Sequence, residues 1–160
     1  MMTELLGAVA LGVSTPAGPT PANVETVTTD TPIAANAATT WDAVRDVYAV
    51  DARLVPGMVS KVEREGDIRK VTFANGYVVT ERIIKIDDSA HRVTYAAFGG
   101  KATYHLATMQ VVADGSKASR VIWRTDFLPA ELRPFIEQNM QQGSAVMKQH
   151  LEAVRAQGER

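Results

Sequence analysis

The chain has 160 residues, of which 46% are hydrophobic and 22% are charged, and its formal net charge is −1. This length allows one domain with a substantial core, the composition excludes a disordered chain, and the charge balance gives no overall attraction to nucleic acid or anionic lipid. The absence of cysteine excludes disulfides, zinc–thiolate sites, iron–sulfur clusters and thiol catalysis.

The N-terminal residues have the composition of a leader. An apolar run at residues 5–13 is about half the roughly 20 residues that cross a bilayer. A secretory signal needs a positively charged flank, whereas Glu4 is the only charge before this run. Three prolines and a glycine in residues 14–23 break both helix and strand. We predict a flexible leader over residues 1–23, a domain over residues 24–157, a cytoplasmic location and no stable membrane insertion.

The domain begins with one strand and two short helices. Val and Thr dominate residues 24–31, which is typical of a strand. The polar residues that follow offer N-caps for a helix starting near Trp41. Asp51 can cap a second short helix, which Pro56 and Gly57 end.

From Met58 onward, turn signals recur roughly every 9–15 residues, as in an antiparallel meander. Asn75-Gly76 is the clearest signal, because both residue types accept the positive φ of a tight type I′ hairpin turn. The runs between the turns are rich in Val, Ile, Thr and Tyr. They predict six strands, at residues 58–65, 68–74, 77–86, 92–98, 102–112 and 119–128.

The last segment has a helical period. Leu132, Ile136 and Met140 begin an apolar stripe that continues to Val154, with polar residues on the other face. Such a helix is about 36 Å long if it runs from Pro134 to Gln157. It is the only predicted element long enough to cover the apolar face of about seven strands. We therefore predict an α+β fold in which a twisted antiparallel sheet wraps around this helix and leaves a cavity between them.

Short motifs follow one another in a characteristic order over residues 24–154. They are residues 33–35, 40–46, 54–59, Gly76, 80–83, 87–88, 92–95, 121–124, Phe127 and 143–151. In these motifs the chain resembles the SRPBCC superfamily of START-like, helix-grip proteins, and within it the polyketide cyclase/dehydrase and lipid-transport branch. The resemblance implies the helix-grip fold and an internal ligand cavity. The chain departs from many relatives at Leu54-Val55, where they have a Trp just before the proline of the second helix.

Strand alternation indicates which side chains face the cavity. Trp123 and Phe127 share the less charged face of their strand, and Tyr95 does so in residues 92–98. The resemblance places Glu81 inward. The two faces of residues 102–112, marked by Tyr104 and His105, stay open. The predicted ligand-binding residues are Glu81, Ile83, Tyr95, Tyr104, Trp123, Phe127, Met140, Gly143 and Met147.

Glu81 is the candidate catalytic residue. A carboxylate in an apolar cavity can act as a general acid or base, and the alternative is an ion pair across the sheet with Arg124 or Arg92. His105 is either a base or an exposed or satisfied histidine. Gly143 costs about 1 kcal/mol in mid-helix, which close approach to the sheet, room for a ligand or simple tolerance can explain.

The leading functional hypothesis is the binding of a small hydrophobic ligand, which is lipid, polyketide-like or aromatic. One alternative is a cyclase, aromatase or dehydratase that uses Glu81 or a cavity tyrosine as acid–base. Another is an interaction module with a filled core, and a homodimer is possible in each case. No HExxH, GxGxxG, Walker A or GxSxG motif occurs, so we expect no metal and no cofactor. The scattered basic residues disfavour nucleic-acid binding.

Overall fold

The structure is a computed structural model that describes residues 19–159, so residues 1–18 of the predicted leader lie outside it. The strands are β1 (Glu25–Ile33), β2 (Val59–Glu65), β3 (Ile68–Phe73), β4 (Val78–Asp87), β5 (Arg92–Phe98), β6 (Tyr104–Ala113) and β7 (Ser119–Leu128). The helices are α1 (Ala37–Val44), α2 (Val50–Arg53) and α3 (Arg133–Gly158), and a short 3-10 helix, Ala130–Leu132, precedes α3.

All seven strands form one antiparallel sheet in the order β1-β7-β6-β5-β4-β3-β2. The first and last strands of the chain are neighbours, paired from Glu25↔Phe127 to Ile33↔Ser119. Strands β2 to β7 follow each other as a meander. This arrangement, with α1 and α2 between β1 and β2 and the long C-terminal helix, confirms the predicted α+β helix-grip fold.

The starts of the two short helices differ from the predictions. Helix α1 begins at Ala37, before the predicted Trp41, because the Asn36 side chain accepts the Thr39 backbone N–H at 2.8 Å. Helix α2 has Ala49 at its N-cap, and Asp51 lies within its first turn. A carboxylate there still complements the positive end of the helix.

The turn between β3 and β4 is not the predicted type I′ turn. Gly76 has φ +88°, whereas Asn75 is not among the described residues with positive φ. The Gly76 N–H donates to the Phe73 carbonyl at 2.9 Å, and the Tyr77 N–H donates to the Asn75 side chain at 3.0 Å. The hairpin thus closes over a longer loop in which only the glycine needs the left-handed conformation.

Helix α3 is fastened to β1. The Ser144 and Thr29 hydroxyls are hydrogen-bonded at 3.0 Å, and Arg133 at the start of the helix pairs with Glu25. Further along, the Lys148 ammonium donates to the Pro32 carbonyl at 2.8 Å. These contacts hold the helix over the β1 edge of the sheet. The space between the helix and β3 to β5 is left for a cavity.

Gly143 of α3 lies against the Trp123 side chain of β7. A Cβ built on this residue would stand 2.9 Å from a ring carbon of Trp123, closer than real Cβ contacts allow. Of the three explanations considered for this glycine, close approach to the sheet is therefore the physical one.

Candidate functional site

A cavity of about 480 Å³ lies between α3 and the concave face of the sheet. Its volume falls within the roughly 300–1,000 Å³ of typical ligand sites. Leu54 and Val55 line its α1–α2 end. The rim carries exposed apolar side chains, and Phe135, the most exposed of them, is 51% exposed. The rim residues are Tyr77, Val78, Phe98 and Phe135.

The strands present alternate side chains to this space. On β7, Trp123 and Phe127 point inward as predicted, and on β5 Tyr95 does so. On β6, where the sequence left two faces open, Ala107 and Met109 are buried and His105 lines the cavity. Because side chains alternate along a strand, this register sends Tyr104 to the opposite face.

The predicted ligand-binding residues divide into two groups. Those that line the cavity are Glu81, Tyr95, Trp123, Met140 and Gly143. Those that do not are Ile83, Tyr104, Phe127 and Met147. Phe127 and Met147 are 0% exposed, so core neighbours already cover them completely, and Ile83 belongs to the same core cluster. Tyr104 is excluded by the face of β6 on which it lies.

Glu81 pairs with Arg69 on the cavity wall. The Arg69 Nε donates to Glu81 Oε2 at 2.7 Å, and the Arg69 Nη1 donates to the Val47 carbonyl at 2.6 Å. The two side chains are only 8% and 13% exposed. They meet because Arg69 and Glu81 are directly opposite each other in the β3–β4 ladder, where side chains share one face.

The predicted partners of Glu81, Arg124 and Arg92, are wrong. Arg124 lies on the other face of β7 from Trp123 and pairs with Asp126. The Arg92 side chain donates to Gln110 at 3.1 Å. The sequence carried a signal for the face of Arg69 but not for its pairing, because Arg69 alternates with Val71 and Phe73 on one face of its strand.

Tyr95 and Trp123 form a buried hydrogen-bonded pair beside this ion pair. The Trp123 indole N–H donates to Tyr95 Oη at 3.0 Å, and the Arg69 guanidinium lies 5.0 Å from the centre of the Tyr95 ring. Burial, followed by the nearby Glu81 carboxylate, raises the pKa of the Tyr95 phenol well above its usual value. The phenol therefore keeps its proton at neutral pH.

His105 occupies the place where the β5–β6 ladder ends. Ladder pairing stops at Tyr95↔Ala107. Two residues further along β5, the Ala97 backbone N–H donates to His105 Nδ1 at 2.9 Å. Burial lowers the pKa of His105, and the Glu81 carboxylate partly offsets this effect. The histidine is thus satisfied at Nδ1, and in the neutral ring its proton must be on Nε2.

Within residues 19–159, no helix combines the length and the apolar character needed to cross a membrane. The same residues contain no group of three or more His, Asp or Glu side chains placed to hold a metal ion.

Comparison with known proteins agrees with this architecture. A family model described as polyketide cyclase / dehydrase and lipid transport matches residues 24–157. An uncharacterised protein from Bacillus thuringiensis is similar in structure, with TM-score 0.73 and 19% identity, over 79% of this chain and 98% of that one. The Zhui aromatase/cyclase from Streptomyces sp. R1128 has TM-score 0.68 and 16% identity, over 86% and 96%. Norcoclaurine synthase from Thalictrum flavum, in complex with dopamine and hydroxybenzaldehyde, has TM-score 0.66 and 20% identity, over 84% and 87%.

These structural likenesses show a shared fold and nothing more specific, because each identity is below 25%. No curated protein matches the sequence. The family model, in contrast, covers most of the chain. The chain therefore belongs to the polyketide cyclase/dehydrase and lipid transport family of the SRPBCC superfamily.

Proposed function

We propose that this protein binds a small hydrophobic ligand, lipid, polyketide-like or aromatic, in the cavity between α3 and the sheet. The observation that carries the proposal is the cavity of about 480 Å³ with its exposed apolar rim at Tyr77, Phe98 and Phe135. An interaction module with a filled core would not have this space. Each 100 Å² of apolar ligand surface buried there contributes about 2.5 kcal/mol, before the costs of ordering the ligand.

The cavity is tested by filling it. Ala97 on β5 lines the cavity, so Ala97→Phe places a ring in the ligand space while the backbone N–H to His105 stays. We expect the wild type to enhance Nile red fluorescence and to gain melting temperature with fatty acids or aromatic polyketides, and we expect this variant to lose both effects. A ligand at a hundred times its Kd stabilises the native state by about 2.7 kcal/mol.

The matched control is Ala96→Phe, which adds the same ring one residue away. Ala96 does not line the cavity, because adjacent side chains point to opposite faces. Wild-type binding is expected in this variant. If no apolar ligand stabilises the wild type, or if both variants bind as well as it does, the proposal fails.

A second candidate is a cyclase, and it is supported by Glu81 on the cavity wall and by the family description. A carboxylate here can remove a proton from a carbon next to a carbonyl of a bound chain. The carbanion then attacks a second carbonyl of the same chain, and the resulting alkoxide takes the proton back. The cavity would contribute mainly by restricting a flexible chain to the reactive geometry.

Glu81→Gln separates the two functions. The Gln side-chain oxygen can still accept from Arg69, so ligand binding is expected to persist, while the unbalanced charge of Arg69 lowers the stability of the variant. If the protein is a cyclase, turnover of a polyketide-like substrate should fall by about 10²–10⁴-fold, the usual contribution of general acid–base catalysis. Undiminished turnover in a variant that binds normally would make Glu81 structural.

A further inference from the structure

Two hydrogen-bond donors on the cavity wall have no acceptor within the described part of the chain. Tyr95 Oη accepts from Trp123, but its own O–H makes no hydrogen bond there. His105 uses Nδ1 to accept from Ala97, and its Nε2 has no partner among the same residues. Both side chains line the cavity, and their ring centres are 6.2 Å apart.

Tyr95 is buried, with 5% of its surface exposed, and buried polar groups are nearly always paired. His105 is half-buried on the same wall of the cavity. Arg69 already holds Glu81 Oε2 and the Val47 carbonyl. The cavity, which Tyr95 and His105 both line, has room for an acceptor that meets both donors.

The charges around the pair restrict which acceptor fits. The nearby Glu81 carboxylate repels an anion, and the positive charge of Arg69 is already balanced by that carboxylate. A free carboxylate on the ligand would therefore be buried without a cation of its own. A neutral oxygen with two lone pairs, such as a ketone, quinone or ester carbonyl, can accept from both donors without this cost.

We propose that Tyr95 and His105 form a two-donor site for the carbonyl oxygen of a neutral hydrophobic ligand, a specificity that rests on the proposed ligand binding. Tyr95 donates its O–H and His105 its Nε2–H to the same oxygen. The site prefers aromatic or aliphatic ketones, quinones and esters to hydrocarbons and to free fatty acids.

Fluorenone and fluorene test the site, because these rigid ligands have the same ring system and differ by a carbonyl in place of a methylene. Equilibrium dialysis of each with the full chain gives the ratio of their Kd values. We expect fluorenone to bind about 10- to 100-fold more tightly, since two neutral hydrogen bonds to otherwise unpaired donors have that combined effect. Fluorene carboxylic acid is expected to bind more weakly than fluorenone.

Two variants assign the preference to the donors. Tyr95→Phe removes the hydroxyl, and His105→Asn keeps an acceptor for the Ala97 N–H but removes the Nε2–H. Each should lower the fluorenone preference over fluorene, measured as the ratio of the two Kd values in the same variant, by about three- to tenfold. Tyr104→Phe removes a phenol on the other face of the sheet and should leave the ratio at the wild-type value.

The outcomes distinguish the two proposals. If fluorene and fluorenone bind equally well, the donor site is overturned and hydrophobic binding stands. If the preference persists in both Tyr95→Phe and His105→Asn, other groups hold the carbonyl and the assignment is wrong. If neither ligand nor any other apolar probe binds, the proposed function fails and the donor site fails with it. Because Tyr95→Phe also removes the acceptor of Trp123, His105→Asn decides the question if the first variant does not fold.

Discussion

At the scale of single residues, the contact between Gly143 and Trp123 shows how closely the helix and the sheet approach each other. Trp123 cannot move freely, because its indole N–H is held by Tyr95 Oη. Any side chain at position 143 must therefore displace a ring that also belongs to the cavity wall. One glycine thus couples helix packing to the shape of the site.

Gly143→Ala is expected to destabilise the protein by up to about 2 kcal/mol. The added Cβ meets the Trp123 ring at 2.9 Å, and such overpacking typically costs 1–3 kcal/mol. The gain in helix propensity, about 1 kcal/mol, offsets part of it. Urea unfolding measures the difference, and near-ultraviolet circular dichroism reports displacement of the tryptophan.

The control for this variant is Ala145→Gly, at an exposed position in the same helix. It tests propensity alone and should cost about 1 kcal/mol. Should Gly143→Ala prove more stable than the wild type, the close contact with Trp123 is not a constraint on this position.

At the scale of elements, α1 closes one end of the cavity and is held from outside. Val44 at its end lines the cavity. Trp41 Nε1 and Arg45 Nε both donate to Asp88 in the β4–β5 turn, at 2.9 and 2.8 Å. Arg45 lowers the pKa of Asp88, with Trp41 contributing next. The helix is therefore anchored to the β4–β5 turn through Asp88, and its Val44 side chain lines the cavity.

Asn36→Ala removes the cap of this helix and should cost about 1 kcal/mol of stability, the usual effect of losing a side-chain cap. Thermal unfolding of the variant checks the prediction. Asn36→Asp preserves an oxygen acceptor for the Thr39 N–H and should retain wild-type stability. Equal stability of all three proteins would mean that tertiary contacts alone hold the start of α1.

At the scale of the whole molecule, the two sides of the sheet differ in how firmly they are held. The β1–β7 and β6–β7 ladders are paired along their full lengths, and α3 is fastened to β1. The β5–β6 ladder stops at Tyr95↔Ala107. The chain beyond that point forms the rim of the cavity.

Hydrogen exchange should reveal this difference. In the ligand-free protein, amides of residues 98–103 and 74–78 are expected to exchange faster than those of β1, β6 and β7, because fewer ladder bonds protect them. A bound hydrophobic ligand should slow exchange at the rim and leave the β1–β7 ladder unchanged. Uniform slowing over the whole sheet would place the ligand somewhere other than this cavity.

The amino-acid sequence by itself determined the elements, their order and the helix-grip architecture. Alternation with period two and the helical period of the last segment are local properties, and they assigned Trp123 and Tyr95 to the inner face correctly. They also identified the long C-terminal helix as the cover of the sheet. Local patterns sufficed here because burial of one face is encoded within each element.

Only the tertiary structure decided which residues form the site. The partner of Glu81 depends on the register of β3 against β4, which no local pattern specifies. The position of His105 inside and Tyr104 outside depends on how β6 pairs with both neighbours. Whether an inward residue such as Phe127 meets ligand or core depends on where α3 rests. These are relations between distant segments, set by packing across the sheet, and the cavity exists only where that packing leaves space.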